Sequence, residues 1–391
     1  MKKLGIYIHI PFCVSKCRYC DFYSIPGASE ELKDKYVEAL TKHMKEYSIQ
    51  AKDYIVDTVY FGGGTPSLLS EKQLKTVMKA LKSNFRVYRA SEISMEINPK
   101  TVSLQKLKYI KRCGINRLSI GVQSFADNEL SIAGRPHDSD DAFETVRLAR
   151  KAGFDNISLD LMFGLPEQSL QSVVDNINTI VSLDVEHISL YGLKIEEGTP
   201  FWFDRNKLAL PNEDEERSMY FNASGLLAAS GIKQYEISNF AKKGKYCKHN
   251  LKYWNCDEYL GFGPAAHSYF AGKRFSFKKN INLYIDSFAE DGSVAEELLD
   301  EYIDIPYSSR VAEYVMLRFR LTAGISTAVF KKKFGRDFDE MYLKKITPFI
   351  KTGHIVKTKT GYAFSREGMY VSNYILSRVV DFDVINPGTE I

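Results

Sequence analysis

Apolar and polar positions follow two different periods along the first half of the chain. Short β-rich runs at residues 4–10, 55–61, 92–97, 117–121, 156–161 and 187–193 read as strands, and stretches such as 31–47, 71–83, 104–113 and 140–152 carry apolar residues at helical spacing. Six strand–helix repeats predict a parallel sheet. Six are too few to close an eight-stranded barrel, so the expected fold is α/β, a partial (β/α)6 barrel. From about residue 300 the pattern changes: 311–321, 327–334 and 341–352 read as helices and 354–364 as a hairpin turning at Thr360-Gly361. These predict a small helical, winged-helix-like C-terminal domain. The acidic stretch 289–305, with Gly292-Ser293, reads as a linker, which divides the chain into a core over 1–288, the linker, and a domain over 306–391.

Composition narrows the class. A chain of 391 residues, 44% hydrophobic and 26% charged, is ordinary globular protein long enough for two domains. A net charge of +4 argues against a dedicated nucleic-acid binder, and Lys331-Lys332-Lys333 reads as a helix end complementing its macrodipole. The start Met1-Lys2-Lys3 resembles a signal peptide, but His9, Pro11 and Cys13 cut the apolar run short. Nothing reaches the roughly 20 apolar residues of a membrane span. A cytoplasmic protein is expected, with its cysteines reduced.

In a barrel of this kind the chemistry belongs at the carboxyl ends of the strands, and the unusual residues fall there. Cys13, Cys17 and Cys20 follow the first strand, Gly62-Gly63-Gly64-Thr65-Pro66 the second, and Gly121-Val122-Gln123-Ser124 the fourth; Glu96 and Asp160 lie in the third and fifth. Thiols at this density, in a chain without an export signal, suggest a metal site. A structural zinc would need His9 or Asp21 as a fourth ligand, but His9 falls in a strand and Asp21 is an uncommon partner for three thiolates. The spacing CxxxCxxC, with Tyr19 before the last cysteine, resembles the cluster motif of the radical S-adenosylmethionine (SAM) enzymes. That resemblance implies a [4Fe-4S] cluster on Cys13, Cys17 and Cys20, with an open iron that chelates SAM. SAM carries an ammonium, a carboxylate, a sulfonium and a ribose diol. Arg135 suits the carboxylate as a bidentate partner. Glu96 and Asp160 suit ribose hydroxyls or the ammonium, Gln123 offers donor and acceptor, Tyr7 suits the methionyl end, and the glycine run lets backbone carbonyls approach.

Further motifs make the resemblance specific. Tyr7 to Cys13 (YIHIPFC), Gly62 to Ser67 (GGGTPS), Gly121 to Phe125 (GVQSF), Asp160 to Pro166 (DLMFGLP) and Tyr235 to Phe240 (YEISNF) together are similar to the oxygen-independent coproporphyrinogen III oxidase family. In that family the positions matching Tyr7, Gly63, Gly64, Thr65, Glu96, Gln123, Arg135 and Asp160 line the SAM site. Two departures point away from the oxidase itself: Phe22 stands where it carries a further cysteine, and the first strand begins almost at residue 4, without the oxidase's amino-terminal extension. The CDF ending and His249-Asn250-Leu251-Lys252-Tyr253-Trp254 resemble the family's heme-chaperone branch. That branch implies a protein binding cluster, SAM and heme and passing heme to an apo-hemoprotein. The alternative is an oxidase-type enzyme that decarboxylates a tetrapyrrole. His249 is the expected axial ligand, on an accessible loop, with Cys247 as a thiolate rival. Tyr253 and Trp254 would give flat surface, and Lys242, Lys243, Lys245 and Lys248 would pair with propionates. A membrane-associated acceptor would need peripheral docking, for which no amphipathic anchor stands out. A homodimer stays open.

Overall fold

The computed structural model describes residues 1–289, Val294 and residues 296–380. Six parallel strands form the expected run: β1 (Lys2–Ile10), β2 (Tyr54–Gly63), β3 (Val87–Ile97), β4 (Arg117–Gln123), β5 (Ile157–Phe163) and β6 (His187–Gly192), hydrogen-bonded in that order. Helices Glu30–Ser48, Glu71–Asn84, Leu104–Cys113, Ser139–Lys151 and Leu170–Ser182 alternate with them.

Along each strand the side chains alternate between two faces. Leu4, Ile6, Ile8 and Ile10 of β1 are fully buried, in one apolar cluster with Leu40 and Met44 of the first helix and Val77 of the second. Each such side chain contributes about 1.5–3 kcal/mol. The other face is polar: Tyr7 and His9 of β1, Glu96 of β3, Arg117 and Ser119 of β4 and Asp160 of β5 look into cavities. A parallel strand is usually apolar on both faces. Here the polar second face marks the lumen as the place for chemistry.

The sheet is larger than its periodicity suggested. β7 (Tyr259–Phe262) adds a seventh parallel strand on the far side of β1, followed by antiparallel β8 (His267–Phe270), β9 (Lys273–Phe277) and β10 (Leu299–Asp304). Two short antiparallel strands, Asn239–Ala241 and Lys233–Gln234, extend the β6 edge. The stretch read as a linker thus supplies an edge strand of the barrel sheet. Its Gly292-Ser293 lies outside the described residues.

A second apolar cluster, including Val315, Phe319, Phe330, Phe338, Ile346 and Phe364, forms the core beyond that point. It lies among helices Tyr307–Phe319, Thr327–Phe334 and Phe338–Lys351 and a three-stranded antiparallel sheet of Ile325–Ser326, Gly361–Phe364 and Ile355–Lys357. Three helices and a hairpin wing match the expected pattern.

Candidate functional site

The chain leaves β1 through Pro11, and Phe12 anchors the turn, fully buried and edge-on to Tyr36 at 5.3 Å. Phe12–Cys13 pairs with Ile25–Pro26, which ties the two ends of the cysteine loop together. Arg18 pins its middle: its guanidinium reaches Asp204 at 2.6 Å, its N–H donates to Ala133 O and its carbonyl accepts from Phe201 N, each at 3.0 Å. Tyr19 packs on Ala133, Met162 and Leu165. The sulfurs accept hydrogen bonds, Cys17 from Arg135 Nη1 at 3.2 Å, Cys13 from the Thr65 hydroxyl at 3.6 Å and Cys20 from the Phe22 backbone N–H. Burial pushes the Cys20 thiol up to about 11. Among the described residues no group of three or more His, Cys, Asp or Glu side chains is arranged to hold a single metal ion.

Beside the thiols opens an inner cavity of about 470 Å³. Except for Tyr7 and His249, every residue expected at the cofactor site lines it: the three cysteines, Tyr19, Gly63, Gly64, Thr65, Glu96, Gln123, Arg135 and Asp160. The glycines are there because no side chain fits. Gly63 has φ 106° and a Cβ on it would run into the His9 ring, while one on Gly64 would stand 2.6 Å from the Phe12 carbonyl oxygen. Asn98, which follows β3, ties the rim together: its amide donates to Thr65 Oγ1 at 2.8 Å and its oxygen accepts from Arg135 Nη2 at 2.7 Å. The β4–β5 register shifts between Gly121 and Gln123, and this bulge, with Gln123 at φ 71°, turns that amide into the cavity.

The two lumen carboxylates are held by neutral donors. Glu96 accepts from Tyr60 OH at 2.9 Å and Gly63 N at 3.2 Å; Asp160 accepts from Ser119 Oγ at 3.0 and 3.1 Å. Burial, then the neighbouring Asp160, raises Glu96 to about 7, and burial also raises Asp160. Such groups await cationic or hydroxylic partners. The guanidinium expected to grip a carboxylate bidentately, Arg135, has both terminal nitrogens engaged with Cys17, Asn98 and Gly121, leaving only its buried Nε without a partner. Arg117 at the cavity floor, not singled out from the sequence, has both Nε and Nη1 buried and unpartnered. The cavity therefore sets cationic donors without hydrogen-bond partners beside two buried carboxyl groups, a donor set that fits a zwitterion bearing hydroxyls and a positive sulfur.

An outer cavity of about 920 Å³ adjoins it, and Asp21, Phe22, Tyr60, Gly63, Glu96, Tyr191 and Asn250 line both. Tyr7 faces this outer space, its hydroxyl bonded to His9 Nδ1 at 3.1 Å. The heme motif requires correction here. His249 is not on an accessible loop but in helix Lys248–Asn255, fully buried, with Nδ1 on Thr58 Oγ1 at 2.9 Å and Nε2 on Tyr253 OH at 2.8 Å. Burial lowers it to about 3, so the ring is neutral and both nitrogens are in use. Nor is it separate from the inner cavity, because Tyr60 stacks on it at 5.4 Å while donating to Glu96. Cys247 is fully buried, its thiol pushed up to about 12 by burial. Trp254 lines neither cavity and lies under Arg320, 5.9 Å from the ring centroid. The lysine run also faces elsewhere: Lys242 pairs with Asp184 and Lys245 donates to Asp155 O.

The family model of the radical SAM superfamily matches residues 7–180, and that of the HemN C-terminal domain residues 309–371. The "Heme chaperone HemW" of Bacillus subtilis (strain 168) is 39% identical over 375 residues, 94% of this chain and 97% of that one. Its namesake in Escherichia coli (strain K12) is 36% identical over 318 residues, 81% and 82% of the two chains. The solved structure of coproporphyrinogen III oxidase (HemN) from Escherichia coli superposes with a TM-score of 0.85 over 97% of this chain and 91% of that one, at 22% identity, and so shares the fold. No helix among the described residues is long and apolar enough to cross a membrane. A shared fold alone would leave the oxidase and its relatives equally close, but identity of this extent across nearly the whole length separates them: the chain belongs to the HemW family, within the radical SAM superfamily.

Proposed function

We propose that the protein binds a [4Fe-4S] cluster through Cys13, Cys17 and Cys20, holds SAM in the inner cavity, carries heme in the outer one and passes that heme to an apo-hemoprotein. The observation that carries the reading is the pair of adjoining cavities. One is edged by the three cysteine sulfurs and holds Glu96, Asp160, Arg117 and Arg135; the other is walled by tyrosines, with cations around it, and sits at the upper end of the size range for small-molecule and cofactor sites. Relatives across nearly the whole length are named heme chaperones, which supports the same assignment.

The chain's own residues divide the work. Thr65 and Arg135 donate hydrogen bonds to the Cys13 and Cys17 sulfurs that would ligate the cluster. When bound, the cluster would supply an open iron for SAM and an electron for its sulfonium. Arg117 and the free Nε of Arg135 suit the SAM carboxylate, Glu96 and Asp160 its hydroxyls or ammonium, and Gln123 a further polar edge. Phe22, 62% exposed at the place where the oxidase has a cysteine, fills the border between the cavities with an apolar ring. That favours the carrier over the oxidase-type enzyme.

The test is a hemin titration of the anaerobically reconstituted protein, followed by addition of an apo-hemoprotein. A saturable Soret change that then moves to the acceptor is expected. No Soret change with hemin rejects the proposal.

A further inference from the structure

Coordination of heme iron by a histidine needs an imidazole nitrogen whose lone pair is unused. Three of the seven histidines line the outer cavity: His9, His249 and His267. The first two are fully engaged. His9 bonds Tyr7 through Nδ1 and the Tyr23 carbonyl through Nε2, at 3.1 and 2.9 Å, and His249 is held between Thr58 and Tyr253. His267 is exposed, and neither of its ring nitrogens has a hydrogen bond among the described residues. It is also held on a rigid element. It lies on β8 between β7 and β9, and the next residue, Ser268, points the other way, fully buried, and accepts from Gly261 N at 2.9 Å.

The surroundings suit a flat dianionic macrocycle. Tyr269 shares the His267 face of β8, and Tyr259 and Tyr307 add aromatic wall. Arg274, opposite Tyr269 on β9, is taken by Glu313 at 2.7 and 2.9 Å. Lys279 and Arg310 are different: both line the cavity, both are exposed, and neither has an ion pair among the described residues. Glu301, Arg274, Asp300 and Lys279 all lie within electrostatic range of His267, and Arg310, Glu258 and Glu313 within range of Tyr269, so Lys279 and Arg310 are the unpaired cations in a mixed-charge surround.

We propose that His267 is the axial ligand that takes heme iron in the outer cavity, with Lys279 and Arg310 meeting the two propionates. This rests on the heme reading above and replaces His249 as the ligand. His249 becomes a positioning residue that fixes the Tyr253 hydroxyl.

The experiment titrates hemin into the full-length, cluster-loaded protein and into His267→Ala, His249→Ala, Cys247→Ala and the double variant Lys279→Ala/Arg310→Ala. For His267→Ala a shifted Soret band and about tenfold or greater weakening are expected, about 1.4 kcal/mol or more, with free imidazole restoring the wild-type band. The double variant should keep the wild-type band, lose affinity for hemin and bind hemin dimethyl ester as the wild type does. Wild-type band and affinity in His267→Ala overturn the assignment. Loss of the band in His249→Ala or Cys247→Ala, with imidazole rescue there and not in His267→Ala, moves the ligand to that residue. Absence of hemin binding by the wild-type protein fails the heme reading itself, a separate outcome.

Discussion

Glu96 offers a quantitative test of the inner cavity. Its folded value near 7 compares with an ordinary carboxyl value near 4.5. A carboxyl group raised on folding holds its proton longer in the native state, so the apo-protein loses stability as pH rises from about 4.5 through 7. The loss is at most about 3 kcal/mol, since each pH unit corresponds to about 1.4 kcal/mol and the carboxylate faces a cavity that water can enter. A cationic or hydroxyl-bearing ligand reverses the preference by favouring the ionised acid. With a midpoint near 7, roughly one Glu96 in eleven is ionised at pH 6 and about three in four at pH 7.5. SAM affinity should therefore rise about eightfold across that interval. Tyr60 donates to the ionised carboxylate, so Tyr60→Phe should move the midpoint upward. Glu96→Gln should bind SAM more weakly with a flat profile, and Asp160→Asn separates the second acid. Equilibrium dialysis of the anaerobic, cluster-loaded protein measures all four. A flat wild-type profile between pH 6 and 7.5, or an unchanged slope in Glu96→Gln, would refute the reasoning.

The remaining expectations are simpler. Cys13→Ala, Cys17→Ala or Cys20→Ala should each abolish iron-sulfur absorption and the effect of SAM on the reduced-cluster paramagnetic spectrum, whereas Cys113→Ala, remote from both cavities, should not; stoichiometric zinc in the wild type would overturn the cluster assignment. Gly64→Ala forces a methyl against the Phe12 and Ile10 carbonyls and the Phe12 amide, and should cost about 1–3 kcal/mol in a denaturant melt and reduce cluster retention. With Phe22 in the oxidase's cysteine position, coproporphyrinogen III should not be converted to protoporphyrinogen IX in the presence of SAM and reductant, and product above the no-enzyme control would restore the oxidase-type reading. His249→Ala should perturb the SAM site as well as the outer cavity, seen as a changed SAM affinity, because its stacking with Tyr60 reaches Glu96 at one remove.

The six core strands were legible because each is a β-rich run bounded by turn residues, and the residues that line the inner cavity because they sit at strand ends with unusual chemistry. β7, β8 and β9 were missed. They are four or five residues long and are interrupted or flanked by Gly261, Gly263 and Gly272, so their local periodicity is too short to read; only the pairing of β7 with β1 and of β9 with β10 joins strands distant in sequence. The acidic edge strand β10 reads as linker because most of its side chains face solvent. Arg117 and Asn98 carry no local signal, since their roles come from what the barrel brings beside them. A cue was nonetheless present: Arg117-Leu118-Ser119-Ile120 and Ser158-Leu159-Asp160-Leu161 alternate polar and apolar in strands expected to be buried on both faces. His249 was misplaced for the opposite reason. A histidine beside a lysine run suggests an exposed loop, yet Asn250, Tyr253 and the helical spacing turn it inward onto Thr58.

Seven residues line both cavities, so a ligand that repositions any of them alters both chambers. Whatever SAM does to the shared wall of Tyr60, Glu96 and Asn250 is done to the boundary of the outer chamber as well. Linkage then demands symmetry: if a filled inner chamber changes the outer chamber's affinity for its cargo by some factor, the cargo changes SAM affinity by the same factor. A factor of one would mean that the shared wall carries no coupling, and any other value can be read from either chamber.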